Sequence, residues 1–173
     1  MTGTAGAALT VRDAVLEDLP RLTEIYNHYI VHTPITFDLE PVTAEERRPW
    51  FDQFAPAGRH RLLVAEEAVG GIAGYACSHE FRSKRAYETT VEFTVYCAPE
   101  RTGRRVGSAL YAALFAALAG EDIHVVVAGI TWPNEASLAL HERFGFVRAG
   151  LMHAVGRKFG RYWDVLWMEK PIG

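Results

Sequence analysis

Two side chains with acid–base chemistry, Glu92 and His141, stand in largely apolar stretches of this sequence. Glu92 belongs to the run Thr90–Tyr96, in which apolar and polar residues alternate. Because alternate residues of a strand share a face, we expect the Glu92 carboxylate beside the hydroxyl groups of Thr94 and Tyr96. There it can take a proton from an attacking nucleophile, as a general base does. A buried glutamate paired with a neighbouring hydroxyl or arginine is the structural alternative.

The helix predicted over Asn134–Phe144 carries two further candidates and ends at Gly145. His141 follows Ser137 by one turn, and an imidazole there can exchange a proton near neutral pH. A hydrogen-bonded core histidine is the alternative interpretation. Asn134 can bind a ligand amide, cap the helix at its start, or do both.

The connection Thr102–Gly107 leads from a strand into a helix and is a candidate phosphate site. Its backbone N–H groups and the positive end of the helix can hold a pyrophosphate, and Arg104 and Arg105 would add positive charge. The loop lacks the Gly-Lys-Ser/Thr ending of a Walker loop and the G-x-G-x-x-G dinucleotide fingerprint. A solvated basic turn therefore stays open as the alternative.

A basic and aromatic segment, residues 82–87, precedes the strand of the candidate base. Arginine binds carboxylate and phosphinate groups through two parallel hydrogen bonds, so Arg82 with Tyr87 suits a small anionic amino acid. A solvated basic loop is the alternative. We expect Tyr26 and Phe37 to wall the same pocket, although Tyr26 would serve the core equally well.

The elements that must position these residues follow from hydrophobic periodicity. Strands are predicted at residues 10–13, 62–66, 72–80, 90–96, 124–130 and on both sides of the turn 158–161. Helices are predicted at residues 19–30, 106–117 and 134–144, and from the capping box Thr43–Glu46 towards Phe54. This order predicts a mixed α/β fold in which residues 10–173 form a single domain and residues 1–9 a flexible N-terminus.

Composition narrows the class of protein. The 173 residues are 49% hydrophobic, enough for one core, and 18 basic against 21 acidic residues give a net charge of −3. That balance argues against non-specific nucleic-acid binding. No apolar stretch approaches the roughly 20 residues of a membrane span and no signal peptide is recognisable, so we expect a cytoplasmic protein. Neither the cysteines nor the histidines have metal-ligand spacing, so no metal is expected.

Several separated motifs resemble one superfamily. Asn-x-x-Ser-x-x-Leu-His-x-x-x-Gly-Phe, residues 134–146, follows the candidate phosphate loop and a strand, in the order of the acyl-CoA-binding core of GNAT N-acetyltransferases. Residues 86–96, 140–142 and 156–164 resemble the phosphinothricin and methionine sulfoximine acetyltransferase family. The resemblance extends from about Val11 to Lys170, and the agreement of independent motifs gives it weight.

The resemblance implies a GNAT-type fold, with a central twisted, mixed and mainly antiparallel sheet flanked by helices. The strand of Glu92 and the strand ending near Ile130 would splay apart in that sheet and admit the pantetheine arm. The resemblance also implies a homodimer that uses acetyl-CoA to acetylate the α-amino group of a phosphinothricin-like or methionine sulfoximine-like amino acid. Another small amine as acceptor and a non-catalytic acyl-CoA-binding module are the alternatives.

Each candidate residue takes a role under this resemblance. Glu92 becomes the base, and His141 assists it or protonates the leaving thiolate. Asn134 contacts the pantetheine amides, and a backbone N–H at or near Val95 meets the oxyanion. The pyrophosphate binds the backbone of the residues that open the helix, which are Arg104, Arg105, Val106, Gly107 and Ser108.

Two positions depart from the usual superfamily pattern. Thr102 stands first in the phosphate loop, and Arg105 stands where the first glycine is usual. The arginine is compatible with backbone binding if its φ stays negative. His141 occupies a place where many members have a tyrosine acid, and the herbicide-detoxifying branch has histidine there. Arg82 and Tyr87, by contrast, match the family pattern.

Overall fold

Seven strands form one open sheet in the computed structural model, which describes residues 9–69 and 71–172. In chain order the strands are β1 (Leu9–Asp13), β2 (Leu62–Glu67), β3 (Gly71–Glu80), β4 (Thr90–Cys97), β5 (Val125–Trp132), β6 (Val147–Lys158) and β7 (Arg161–Pro171). Their order across the sheet is β1-β2-β3-β4-β5-β7-β6. Neighbouring strands run antiparallel except β4 and β5, which are parallel. The prediction of a mixed, mainly antiparallel sheet is confirmed.

Helices cover both faces of this sheet. They are α1 (Leu19–His32), α2 (Arg48–Phe51), α3 (Val106–Ala117) and α4 (Glu135–Arg143). On one face, Leu22 and Ile25 of α1 share an apolar cluster with Val64 of β2, because their spacing puts them on one side of the helix. On the other face, Leu114 of α3 shares a cluster with Phe93 of β4. In the part of the chain that the structure describes, no helix is long and apolar enough to cross a membrane.

The first strand begins earlier than predicted. Leu9, which we expected in a flexible terminus, pairs with Glu67 of β2. Its side chain and that of Val11 pack against the apolar core, which explains why the strand includes both. Residues 1–8 of the predicted flexible terminus lie outside the described residues.

The second helix is shorter than predicted. The capping box forms, with the Glu46 N–H donating to Thr43 Oγ1 at 3.1 Å. However, α2 begins only at Arg48 and spans four residues. Pro49 has no N–H to donate back along the chain, so a regular helix cannot continue from the capping box.

Candidate active site

The two faces of β4 determine where the candidate base lies. Val91 and Phe93 belong to the apolar core on the α3 side of the sheet. Because successive side chains of a strand point to opposite faces, Glu92 and Thr94 point to the side that α1 covers. The alternation is the one that the sequence pattern predicts.

β4 and β5 separate after a short parallel pairing, which joins Thr90–Glu92 to Val125–Val127. Beyond that point a cavity of about 190 Å³ lies between the two strands. On the other side of β4, the Ala98 N–H donates to Ala73 O of the β3 segment. Since antiparallel ladders alternate, even-numbered residues of β4 direct their N–H groups towards β3. The N–H of Val95 therefore points the other way, into the gap beside β5.

The Glu92 carboxylate lines this gap and is half-buried. Burial raises its pKa from 4.5 to about 7, because removal from water disfavours the charged form. Among the described residues, no hydroxyl or basic side chain pairs with the Glu92 carboxylate, so the structural alternative of a paired glutamate does not apply. A carboxylate with a pKa near neutrality is suited to proton transfer.

His141 has both ring nitrogens engaged. Its Nδ1 lies 2.7 Å from Ser137 O, and because a carbonyl oxygen only accepts, Nδ1 carries the proton. Its Nε2 lies 2.8 Å from the Tyr111 hydroxyl, which therefore donates to it. Burial lowers the pKa of His141 and favours the neutral imidazole. His141 is thus buried and hydrogen-bonded, as the structural alternative expects, and its side chain also lines the gap. Its catalytic role stays a prediction.

Tyr111 is a site residue that the sequence pattern does not reveal. It lies in the apolar helix α3, is fully buried and lines the same gap. Its hydrogen-bond partner, His141, follows it by 30 residues, so no local spacing connects the two. A tyrosine hydroxyl in the middle of an otherwise apolar stretch of helix, residues 109–117, is the one available signal.

Asn134 caps α4 as well as lining the gap. Its Oδ1 accepts a hydrogen bond from the Ser137 N–H at 3.1 Å. The side-chain amide keeps its N–H donors for another acceptor. The side chain is among those that line the gap, so the two predicted roles are compatible.

The candidate phosphate loop contains a left-handed turn at Arg105, with φ 62° and ψ 15°. The condition of a negative φ, under which an arginine here was compatible with backbone binding, is therefore not met. The chain turns sharply into α3, a task for which glycine is usual, and Arg105 takes the same conformation at a cost of about 1 kcal/mol. The first backbone hydrogen bond of α3 runs from the Ala109 N–H to Arg105 O. The N–H groups of residues 106–108 precede that bond and form the positive end of the helix.

The side chains at this helix start fit an anionic ligand. A Cβ at Gly107 would come within 3.1 Å of a side chain of α4, so glycine allows the two helices to approach. Ser108 Oγ accepts a hydrogen bond from Arg143 at 3.1 Å. The guanidinium of Arg104 lies 3.9 Å from the Glu67 carboxylate. Because the Arg104 side chain is exposed, its positive charge is accessible to a ligand. Backbone amides with a nearby arginine form a suitable environment for a pyrophosphate.

Arg82 and Tyr87 lie together at the surface. The Arg82 Cζ is 5.8 Å from the ring centre of Tyr87 and 4.9 Å from that of Phe81. Phe81 contacts Trp167 of β7 edge to face. Trp167 in turn covers Gly129, where an added Cβ would lie 3.3 Å from its ring. Gly129 lines the gap, whereas the exposed pair does not. Phe81 and Trp167 lie between the two.

Tyr26 and Phe37, the two predicted pocket walls, have different environments. Tyr26 lines a second cavity of about 300 Å³ beneath α1 and α2, and its hydroxyl donates to Asp38 at 2.7 Å. The ring of Phe37 occupies the space that a side chain at Gly156 of β6 would need. Phe37 therefore packs the loop after α1 onto β6. It is not among the side chains that line either cavity, and its role as a pocket wall stays a prediction.

Comparisons with known proteins extend these observations. Residues 11–167 match a family described as acetyltransferase (GNAT) domain. The chain is 57% identical over 173 residues to phosphinothricin N-acetyltransferase of Streptomyces coelicolor, covering 99% of this chain and 100% of that protein. It is 38% identical over 160 residues to L-methionine sulfoximine/L-methionine sulfone acetyltransferase of Pseudomonas aeruginosa, covering 92% of each.

A solved structure shares the fold. The GNAT superfamily phosphinothricin acetyltransferase from Sinorhizobium meliloti, in complex with acetyl-CoA, matches with a TM-score of 0.89 at 34% identity. The match covers 95% of this chain and 89% of that one. The predicted GNAT-type fold and the family resemblance are both confirmed. By sequence and by fold, the chain belongs to the GNAT acetyltransferase family.

Proposed function

We propose that this protein is an acetyl-CoA-dependent N-acetyltransferase that acetylates the α-amino group of a small amino acid of the phosphinothricin or methionine sulfoximine type. Glu92 carries the proposal, because its carboxylate lies where β4 and β5 separate and has a pKa of about 7. Relatives named for phosphinothricin and for methionine sulfoximine and sulfone support the acceptor class.

The proposed role of Glu92 follows from the protonation of the acceptor. An amine attacks a thioester only in its neutral form, whereas an α-amino group has a pKa of about 8 at a peptide N-terminus and a higher one in a free amino acid, whose own carboxylate favours the ammonium form. Most of the acceptor therefore arrives protonated at neutral pH. Glu92, with a pKa of about 7, is close enough in basicity to take that proton, directly or through a water. The carboxylic acid that results suits a half-buried position better than the carboxylate does.

His141 is proposed to act through Tyr111. To protonate a thiolate from Nε2, His141 would first have to become an imidazolium, and burial disfavours that form. Its neutral Nε2 instead accepts the Tyr111 hydroxyl. His141 is thus a positioning residue that fixes the hydroxyl on the wall of the gap.

Residues at the start of α3 and along the gap fit acetyl-CoA, which supplies the acyl carbon that the amine attacks. The N–H groups of residues 106–108 would hold the pyrophosphate, with Arg104 adding charge. Asn134 would donate to the pantetheine arm, and the Val95 N–H would face the thioester oxygen. Among the described residues, no group of three His, Cys, Asp or Glu side chains is arranged to hold a metal ion.

Arg82 and Tyr87 are proposed to hold the carboxylate of the acceptor. Within residues 9–69 and 71–172, Arg82 makes no ion pair, and its guanidinium lies beside two aromatic rings. It is therefore free to bind a carboxylate through two hydrogen bonds. The contact of Phe81 with Trp167 connects this pair to the gap.

The proposal includes a homodimer formed through β6. This strand is at one edge of the sheet. This strand, the turn after it and the start of β7 expose apolar side chains, those of Val147, Leu151, Met152, Val155, Phe159 and Tyr162. An apolar surface of this kind is typical of an interaction site. In a symmetric dimer, each protomer would bury this same surface against its partner.

A cytoplasmic location is also proposed. Cys77 and Cys97 are both free thiols. Free thiols fit a reducing compartment, where disulfides are rare. Fractionation of cells that express the protein tests this location, and recovery outside the cytoplasmic fraction would contradict it.

A thiol-release assay with acetyl-CoA tests the proposed activity. The acceptors are phosphinothricin, methionine sulfoximine, methionine sulfone, common amino acids and polyamines. We expect turnover concentrated in the first three. Turnover of polyamines alone would contradict the acceptor class, and CoA binding without any turnover would favour a non-catalytic acyl-CoA-binding module.

A further inference from the structure

The cavity of about 300 Å³ beneath α1 and α2 lies beside the proposed reaction site and has no role in it so far. Four aromatic rings line the cavity, those of Tyr26, Trp50, Tyr75 and Tyr96, and Arg47 lies among them. Aromatic walls bind methyl and methylene groups, whereas a guanidinium binds oxygen atoms. The lining therefore suits a small side chain that is apolar along its length and carries an oxygen-rich end.

Arg47 is a buried cation whose hydrogen bonds leave donors unused. It is 8% exposed, and its Cζ lies 4.2 Å from the ring centre of Tyr26 and 3.9 Å from that of Trp50. It donates to Leu22 O at 2.9 Å and to the Tyr75 hydroxyl at 2.8 Å. Its other N–H groups have no acceptor among the described residues, and no carboxylate there forms an ion pair with it. Because a buried, unpaired charge is costly, an incoming oxygen group at Arg47 would be stabilising.

The cavity adjoins the gap that holds Glu92. Thr94 and Tyr96 line both spaces. His79, the cross-strand partner of Glu92, lines the cavity and lies 3.1 Å from Thr94 Oγ1. Glu92 and Thr94 are neighbours on one strand face, separated by about 6.6 Å. An amino acid with its amine at Glu92 can therefore extend its side chain past Thr94 towards Arg47.

We propose that this cavity is the subsite for the acceptor's side chain, where Arg47 binds a tetrahedral oxo group such as a sulfone, sulfoximine or phosphinate. The inference rests on the proposed acetyltransferase function. It assigns the two polar ends of the acceptor to different arginines, with the α-carboxylate at Arg82 and the side-chain oxygens at Arg47. Two carboxylates, Asp38 and Glu46, also line the cavity, but both are exposed and each accepts a hydrogen bond from a hydroxyl group. Arg47 is thus the charge at the buried end.

A matched pair of acceptors isolates the contact, because methionine and methionine sulfone differ only in the two sulfone oxygens. In the unmodified enzyme we expect kcat/KM for the sulfone to exceed that for methionine by about tenfold or more. Arg47→Met should lower the sulfone value about 10- to 100-fold and change the methionine value less than about threefold, since only the sulfone loses a charged hydrogen bond. General damage to the fold would lower both values. Arg82→Ala is the control and should weaken both acceptors alike, because both carry the α-carboxylate.

Calorimetric titration of both amino acids into the CoA-saturated enzyme gives the same comparison without turnover. Tighter binding of the sulfone that disappears in Arg47→Met supports the subsite. Equal affinities in the unmodified protein, a preference that survives the substitution, or binding of neither amino acid would overturn it. Should Arg47→Met not fold, Arg47→Gln removes the charge while keeping a donor and must also abolish the preference. Failure of the proposed function appears separately, as the absence of amino-acid acetylation in the thiol-release assay.

Discussion

At the scale of single residues, burial moves two acid–base groups in opposite directions. It raises the pKa of Glu92 to about 7 and lowers that of His141. The directions differ because a carboxylate is charged when it loses its proton and an imidazole when it gains one. The result is one group able to accept a proton near neutral pH and one that stays a hydrogen-bond acceptor for Tyr111.

Glu92→Gln should stabilise the fold at high pH and not at low pH. The pKa of Glu92 is about 7 in the folded state and about 4.5 when unfolded. Its protonated form therefore adds its full contribution to stability below pH 4.5, and this contribution is lost as the pH rises through 7. Above that pH, removing the charge should raise the free energy of unfolding by about 1 to 2 kcal/mol, a figure reduced for partial solvent access. Thermal melts at about pH 4 and pH 8.5 measure the difference. Glu88→Gln, an exposed carboxylate nearby, is the control, and an equal shift at both pH values would contradict the assignment.

The Tyr111–His141 pair predicts non-additive kinetics. If His141 acts by holding the Tyr111 hydroxyl, Tyr111→Phe and His141→Asn remove the same interaction. The double variant should then lower kcat no further than the more harmful single variant. Each single variant should also cost about 1 to 3 kcal/mol of stability, because it leaves a buried polar group unpaired. If the loss of kcat in the double variant instead equals the product of the two single losses, the two residues act independently.

At the scale of secondary-structure elements, the sequence predicted those features that depend on residues close together in the chain. The polar face of β4, the cap of α4 by Asn134 and the capping box at Thr43 all form as predicted. Each depends on residues within a few positions of one another, so spacing alone identifies them. The candidate base was accessible from the sequence for this reason.

Contacts between distant elements could not be predicted in the same way. Arg47 lies in the segment 43–54 that the sequence predicts to be helical, and nothing local indicates that its side chain is buried. Its guanidinium nevertheless donates to the hydroxyl of Tyr75, 28 residues away, and is buried. Phe37 follows a helix in a polar loop, and only the missing side chain of Gly156 on β6 creates the space that its ring fills. Such contacts depend on tertiary packing, which overrides local preference.

The left-handed turn at Arg105 predicts that glycine is more stable than alanine at this position, the reverse of the usual order in a helix. Arg105→Gly should be more stable than Arg105→Ala by about 1 kcal/mol, because glycine adopts a positive φ freely and alanine does not. The φ of 62° sets this expectation, and glycine is also the better residue at a helix start. The Arg105 side chain is exposed, so neither variant loses packing. Urea unfolding of the two variants provides the measurement, and an alanine variant at least as stable would contradict the left-handed turn.

At the scale of the whole molecule, the β6–β7 hairpin joins the exposed sheet edge to the site. Lys158 at the end of β6 is buried and donates to Thr36 O at 2.8 Å. Thr36 lines the gap between β4 and β5, and the neighbouring Phe37 packs on β6. A dimer formed through β6 would therefore stabilise the loop that borders the gap in each protomer.

Val155→Asp should weaken the proposed dimer. The side chain is 50% exposed on β6, and a charge there would have to be desolvated in an apolar contact. Sedimentation at micromolar concentration should show more monomer, with lower activity at the same dilution. Val69→Asp is the matched control, since Val69 is 85% exposed in the turn after β2. A fully active monomer in the unmodified protein would contradict the dimer.

The pH dependence of kcat/KM for the amino-acid acceptor, with acetyl-CoA saturating, tests the central role of Glu92 most directly. The unmodified enzyme should gain activity as pH rises through about 7 and Glu92 loses its proton, before the further rise that the amine itself imposes. Glu92→Gln should lose about 10²- to 10⁴-fold in kcat, keep its affinity for acetyl-CoA and lack the rise near pH 7. A Glu92→Gln enzyme with unchanged kcat at neutral pH would contradict the assignment of Glu92 as the base.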